Sequence, residues 1–172
     1  FRNDGERADE YLKRFNDVHE ANEFLDKFNG HGDEANEFIR DFNGSFGCAS
    51  KFIQSFNHHK EAIEHLKIIK RECDEKTDNS CGDNCKWVFD EKTKILFIRG
   101  SGEMKDFECY KGWFGNSSTI PWSSKIKQIE NIVISEGITI GKYAFYECYY
   151  LSSINIPNSV TTIGESVLSS CS

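Results

Sequence analysis

The first half of the chain repeats a pattern of apolar residues that has the period of an amphipathic helix. Five copies share a leading alanine and begin at Ala8, Ala21, Ala35, Ala49 and Ala62. In the second copy, ANEFLDKFN, apolar residues stand at i, i+3, i+4 and i+7, which is the buried stripe of a helix. The sequence therefore predicts an array of short helical repeats of 13–14 residues each.

Two arrangements of these repeats are compatible with the spacing. Asn29-Gly30 and Asn43-Gly44 close two copies and suit the left-handed conformation in which helices end. Apolar residues also recur every seven residues, as one long helix requires, but each glycine inside such a helix would cost roughly 1 kcal/mol. We favour separate helices. Their packing would form one buried aromatic ladder, made of Phe24, Phe28, Phe38, Phe42, Phe52 and Phe56.

The pattern changes after residue 73. Residues 87–89 and 94–99 flank four polar residues and predict a β-hairpin. Residues 132–134 (Ile-Val-Ile) are echoed 22 residues later by residues 154–156 (Ile-Asn-Ile), and such a step is a leucine-rich-repeat period. The two segments are predicted to pair as parallel strands, with their isoleucines pointing inward because side chains alternate along a strand.

Two stretches of this second repeat, residues 140–148 (IGKYAFYEC) and 154–164 (INIPNSVTTIG), resemble the BspA-type leucine-rich repeats. Residues 81–87 (CGDNCKW) and 98–107 (IRGSGEMKDF) resemble the N-terminal capping segment of that family. The resemblance covers about residues 81–172 and implies adhesion, recognition or assembly through a solenoid surface, with no catalytic residues. Only about two repeats are present, whereas solenoids usually need three or more.

Together these patterns predict an α+β chain. An N-terminal array of short α-helical repeats occupies residues 1–73, and residues 74–80, which lack periodicity and contain many turn formers, form a linker. A short leucine-rich-repeat β-solenoid follows over residues 81–172. It is divided into an N-terminal β-hairpin cap (81–125) and the repeats (126–172).

The second strand of the predicted hairpin is apolar at four consecutive positions. Two of these belong to the solenoid core by the family pattern, which leaves Ile95 and Phe97 on the other face. An exposed apolar pair there would be a docking or aggregation liability. We expect the last helix of the array, around Ile63, Leu66 and Ile69, to fold back over the pair and make the two halves one rigid body. The alternative is that a partner protein covers the strand.

Charge excludes several classes of partner. The chain has 172 residues and a net charge of −7, divided between residues 1–73 (−4) and 74–172 (−3). Neither half is basic, which argues against nucleic acid and against anionic lipid headgroups. The apolar stretches are too short for a membrane span. We expect a protein partner, no nucleic acid and no membrane insertion.

Candidate chemistry is sparse. Cys81 and Cys85 form one close pair, whereas structural zinc usually shows two, so a disulfide or a buried thiol pair is favoured. Cys148 and Cys171 occupy the same repeat position, where a buried cysteine is structural. The sequence has no Ser-His-Asp order, phosphate loop or HExxH motif. We expect no enzyme, no catalytic residue, no cofactor and no metal.

The candidate interaction surface combines outward-facing strand positions with an aromatic cluster. Its residues are Val133, Asn155, Ile95, Phe97, Tyr110, Trp113 and Phe114. The aromatic residues would either cap the solenoid end or anchor a partner, and we favour the cap. Asn43 and Asn116 begin tripeptides for N-glycosylation.

These features favour a non-enzymatic recognition or adhesion module of a BspA-like surface protein, located at the cell surface or secreted. The alternative is an intracellular assembly component that uses the helical array and the short solenoid as a scaffold within a larger complex. Seven cysteines do not decide between the compartments, because repeat-core cysteines need not be oxidised.

Overall fold

The computed structural model describes residues 11–13, 15, 17–112 and 115–171, with the side chains of 111, 112 and 115–117 left out. It divides into two compact units, Phe1–Lys67 and Ile68–Ser172. The helices are α1 (Val18–Lys27), α2 (Gly32–Arg40), α3 (Phe46–Gln54) and α4 (His59–Glu75). The α+β class is confirmed. The division falls inside α4, and this helix continues past the predicted boundary at residue 73.

The helices are separate because local chemistry starts and stops them. The Asp17 side chain accepts a hydrogen bond from the Glu20 N–H (2.8 Å) at the start of α1, which is an N-cap. After α1, Asn29 and Gly30 both have positive φ (52° and 78°), and the Gly30 N–H donates to the Leu25 carbonyl (3.1 Å). Asn43 and Gly44 repeat this turn after α2. The segmented arrangement is therefore observed, and the continuous helix is not.

Phenylalanine rings connect the helices of the first unit. The ring centroids of Phe28 and Phe38 lie 5.4 Å apart, and those of Phe42 and Phe52 lie 5.3 Å apart. Five of the six predicted ladder residues are buried, and Phe56 is half-buried. These contacts bury the apolar stripe that short helices cannot leave exposed.

The second unit contains one mixed sheet and a small hairpin. The strands are β1 (Gly82–Asp90), β2 (Ile95–Met104), β3 (Cys109–Gly112), β4 (Gly115–Ser118), β5 (Asn131–Ile134), β6 (Ile138–Thr139) and β7 (Ser153–Asn155). A 3-10 helix covers Ser123–Gln128. The sheet order is β1-β2-β5-β7, with β6 also paired to β2. β1 and β2 form the predicted antiparallel hairpin.

The repeat step fixes the register of the parallel strands. β5 pairs with β7 in parallel, with Ile132 opposite Ile154, which confirms the predicted pairing at 22 residues. β2 pairs with β5 in parallel as well. Inside, Trp122 is fully buried, and its indole N–H donates to the Ala144 carbonyl (3.0 Å).

Glycine at the 23-residue step allows successive turns of the chain to approach closely. A Cβ on Gly141 would overlap the Lys105 carbonyl, and a Cβ on Gly164 would overlap the backbone of Gly141 and Lys142. Any larger residue at these positions would push the turns apart. Cys148 and Cys171 stand at equivalent positions nearby, and Cys148 is fully buried.

Candidate protein-interaction surface

The sheet has one covered edge and one open edge. Beside β1, the Trp87 N–H donates to the Asn79 carbonyl (2.9 Å), and Ser80 forms a bridge with Lys86. At the other side, β7 pairs with β5 and with no further strand among the described residues.

The two repeat turns, residues 126–148 and 149–171, are here called the first coil and the last coil. Equivalent apolar positions are buried in the first coil and half-buried or exposed in the last. The pairs are Ile132 and Ile154, Ile134 and Ile156, Ile138 and Val160, Ile140 and Ile163, Phe145 and Leu168, and Cys148 and Cys171. Exposure rises from 1% at Ile140 to 51% at Ile163 and from 0% at Phe145 to 42% at Leu168. Val167, which echoes Ala144, stays buried.

We call the surface formed by β7, Val160, Ile163 and Leu168 the open end. The last coil carries one charged residue, Glu165, in a chain of which 28% is charged. Cores of protein interfaces are depleted of charge in the same way. The open end therefore has the apolar character and the low charge of a contact surface.

The two coils are joined by backbone hydrogen bonds that run in both directions. The N–H groups of Tyr143, Phe145 and Glu147 in the first coil donate to the carbonyls of Glu165, Val167 and Ser169 in the last (3.0–3.1 Å). In the opposite direction, the Gly164 N–H donates to the Ile140 carbonyl (2.9 Å) and the Ser152 N–H donates to the Glu130 carbonyl (2.8 Å). Both coils therefore supply donors and acceptors to their shared interface.

Three residues of the predicted surface are not accessible. Ile95, Phe97 and Val133 are buried, with Phe97 only 3% exposed. They do not belong to the main hydrophobic core of the second unit. The sequence pattern correctly separated the two faces of the strand. It could not show that the second face is covered within the chain, because that depends on tertiary packing.

The end of α4, which belongs to the same unit as the sheet, is joined to β1 by hydrogen bonds. The Lys86 ammonium donates to the Asp74 and Lys76 carbonyls (2.5 and 3.2 Å), so it caps the helix C-terminus. Asn79 donates to the Cys73 carbonyl (2.9 Å) and to the Trp87 carbonyl (3.0 Å). The fold-back of the helix around Ile63, Leu66 and Ile69 over the strand stays a prediction, as does the single rigid body.

The remaining residues of the predicted surface differ in their exposure. Asn155 is half-buried on β7, and Tyr110 on β3 is 59% exposed. The Tyr110 hydroxyl donates a hydrogen bond to the Glu108 carboxylate, and this bond and the negative charge of the carboxylate raise the pKa of Tyr110. Trp113 and Phe114 lie outside the described residues, so the choice between cap and binding anchor stays open.

The glycosylation candidates also differ. Asn43 is half-buried in the turn after α2, and Ser45 of its tripeptide caps α3 by accepting from the Cys48 N–H (3.4 Å). Asn116 lies on β4, where its side chain is not described. Modification at either asparagine remains a prediction.

The cysteines form one disulfide and five free thiols. Cys81 is bonded to Cys85, which realises one of the two predicted states of that pair. Cys48, Cys73, Cys109, Cys148 and Cys171 are not in a disulfide. Burial, with a smaller effect of the neighbouring Cys171, raises the pKa of the Cys148 thiol to about 12. In the described part of the chain no cluster of three or more His, Cys, Asp or Glu could hold a metal ion.

Ile163 and Leu168 were missed as surface candidates. The repeat pattern does not distinguish them from their buried counterparts Ile140 and Phe145, because equivalent positions carry the same kind of apolar residue. Among the described residues, no helix is long and apolar enough to span a bilayer.

Comparisons with known proteins agree with the repeat pattern. Residues 123–172 match the family described as BspA type leucine-rich repeat region (6 copies), which confirms the resemblance over that segment. A leucine-rich repeat protein of known crystal structure from Eubacterium ventriosum is 26% identical, with a TM-score of 0.44. The match covers 53% of this chain and 23% of that one. No curated protein matches the chain.

Proposed function

We propose that this chain is a non-enzymatic protein-recognition module of a BspA-like surface protein and that its contact surface is the open end. The match of residues 123–172 to BspA-type repeats supports this class, since repeat solenoids act through extended binding surfaces. The main observation in support of this contact surface is the exposure of Ile163 and Leu168 on a coil with one charged residue. Adhesion to proteins outside the cell is the activity proposed for it.

Binding to immobilised extracellular matrix proteins tests the proposal. The full chain is compared with Ile163→Asp, which places a charge on the open end, and with Val18→Asp, a matched change at a 61% exposed position of α1. We expect Ile163→Asp to weaken binding at least about tenfold, because a charge cannot be desolvated cheaply in an apolar contact, and Val18→Asp to have little effect.

Equal binding by the two variants would show that the open end is not the contact surface. Absence of binding to every protein of the panel would contradict adhesion. A melting curve for each variant separates lost contact from lost folding.

The second candidate is an intracellular assembly component, and the five free cysteines favour it, because thiols persist in reducing compartments. Labelling of intact cells with a membrane-impermeant amine reagent distinguishes the two locations. Labelled chain, with Asn116 glycosylated, supports the surface proposal. Unlabelled chain with seven free thiols after alkylation supports the assembly component.

A further inference from the structure

We infer that Cys148 and Cys171 form a covalent modification site, at which a low-molecular-weight disulfide oxidises the two thiols to an intramolecular disulfide between the first coil and the last. The inference goes beyond the proposed function, because it concerns the link between the coils and not what their surface binds. The new bond would be a second cross-link in the unit that already contains the Cys81–Cys85 disulfide.

The register of the two coils places these cysteines opposite each other. A parallel bridge joins Ile140 to Ile163, and the backbone hydrogen bonds that follow keep this step of 23 residues up to the cysteines. Backbone segments paired in this way lie about 4.7–4.9 Å apart. That spacing falls inside the range of about 4.4–6.8 Å between the Cα atoms of disulfide-bonded cysteines.

Side-chain contacts bring the two sulfur atoms to the same part of the core. The Cys171 thiol donates to the Phe145 carbonyl (3.2 Å), and the Cys148 N–H donates to the same carbonyl (3.4 Å). The Cys171 sulfur therefore lies against the turn that contains Cys148. Cys148 belongs to the hydrophobic core of the second unit, and Cys171 packs against that core. Burial raises the pKa of both thiols, and the charge of Cys171 raises the pKa of Cys148 further.

Exposure decides which thiol reacts first. Cys171 is half-buried, whereas Cys148 is fully buried. With glutathione disulfide as the oxidant, the Cys171 thiolate attacks one sulfur, forms a mixed disulfide and releases one glutathione thiolate. The Cys148 thiol then loses its proton to solvent, and its thiolate attacks the Cys171 sulfur and releases the second glutathione. The two protein thiols lose two electrons in all, and these reduce one glutathione disulfide to two thiols.

The cross-link would hold the last coil against the first. A disulfide removes conformations that are open to the unfolded segment between its ends, so local opening of the last coil becomes rarer. The Gly164 N–H donates to the Ile140 carbonyl across the interface (2.9 Å). Hydrogen exchange at the Gly164 amide therefore reports how often the two coils separate.

The test incubates the full chain with glutathione disulfide in the absence of denaturant. Digestion without reductant, followed by mass spectrometry, then locates every thiol and disulfide. Cys171→Ser removes the attacking thiol, and Cys109→Ser is the matched control because it replaces the other half-buried thiol. We expect a Cys148–Cys171 peptide pair in the parent chain and in Cys109→Ser, and an unmodified Cys148 thiol in Cys171→Ser.

In the cross-linked chain, exchange at the Gly164 amide should slow at least about tenfold relative to the untreated chain, because a disulfide that closes a loop of this length stabilises by more than that factor. Unchanged exchange would contradict the stabilisation of the last coil.

A glutathione that stays on Cys171 while Cys148 remains a thiol would overturn the inference, since the two sulfur atoms would then not meet. Two unmodified cysteines, a bond between two chains, or a cross-link that forms only in urea would overturn it as well. The result for the parent chain decides the inference even if a variant fails to fold, which a melting curve of each variant would show.

Discussion

Phe38→Ala tests whether the helical array is held together by its aromatic ladder. Phe38 is 3% exposed, and its ring centroid lies within 6.5 Å of those of Phe24, Phe28, Phe42 and Phe52. Removing such a ring loses its transfer free energy and leaves a cavity, at a cost of about 3–5 kcal/mol. The loss concerns packing, because alanine is a better helix former than phenylalanine.

The first unit has little stability to lose. At about 0.05–0.15 kcal/mol per residue, the Phe1–Lys67 unit is stable by about 3–10 kcal/mol. A cost of 3 kcal/mol or more should lower its melting temperature by at least about 12 °C, or leave it unfolded at 25 °C.

Far-UV circular dichroism at the helical minimum measures the effect during thermal and urea unfolding. All three tryptophans lie in the second unit, at positions 87, 113 and 122, so their fluorescence reports separately on the sheet. Glu37→Ala is the matched control, since Glu37 is the exposed neighbour in the same helix and surface changes usually cost less than about 0.5 kcal/mol. If Phe38→Ala melts within 3 °C of this control, the ladder does not stabilise the array.

Three further substitutions and one labelling experiment test other parts of the fold. Gly30→Ala should destabilise the first unit by about 1 kcal/mol, because φ is +78° there. Gly47→Ala, inside α3 with open space around its Cβ position, should stabilise it by roughly 0.5–1 kcal/mol. At pH 8 the half-buried Cys109 should react with iodoacetamide well before Cys148, whose pKa of about 12 leaves only about one thiol in ten thousand ionised. Asn79→Ala should destabilise the second unit by about 1–3 kcal/mol, because the buried carbonyls that it satisfies lose their donor.

Urea unfolding measures the stability changes, and mass spectrometry of the alkylated native chain measures the thiol order. The same sign of effect for the two glycine variants would contradict the turn geometry. Labelling of Cys148 before Cys109 would contradict the burial of Cys148. An unchanged tryptophan unfolding midpoint in the Asn79 variant would show that its two hydrogen bonds do not stabilise the second unit.

The sequence by itself determined the local structure and the register. The Asn-Gly pairs mark where helices end, because glycine and asparagine tolerate a left-handed backbone. The 22-residue step placed Ile132 opposite Ile154, because a repeated hydrophobic pattern can be buried only when equivalent residues align. These features depend on neighbours along the chain or on exact periodicity, both of which are readable in one dimension.

Only the tertiary structure decided which surfaces are exposed. Ile95, Phe97 and Val133 looked like a free face and are buried, whereas Ile163, which the sequence analysis did not single out, is half-exposed. The helix α4 also continues beyond the predicted linker boundary. Apolar character shows that a side chain favours burial, but it does not show which segment covers it. Which segment covers a side chain depends on which elements meet in space. Ile163 is exposed because no described segment covers it.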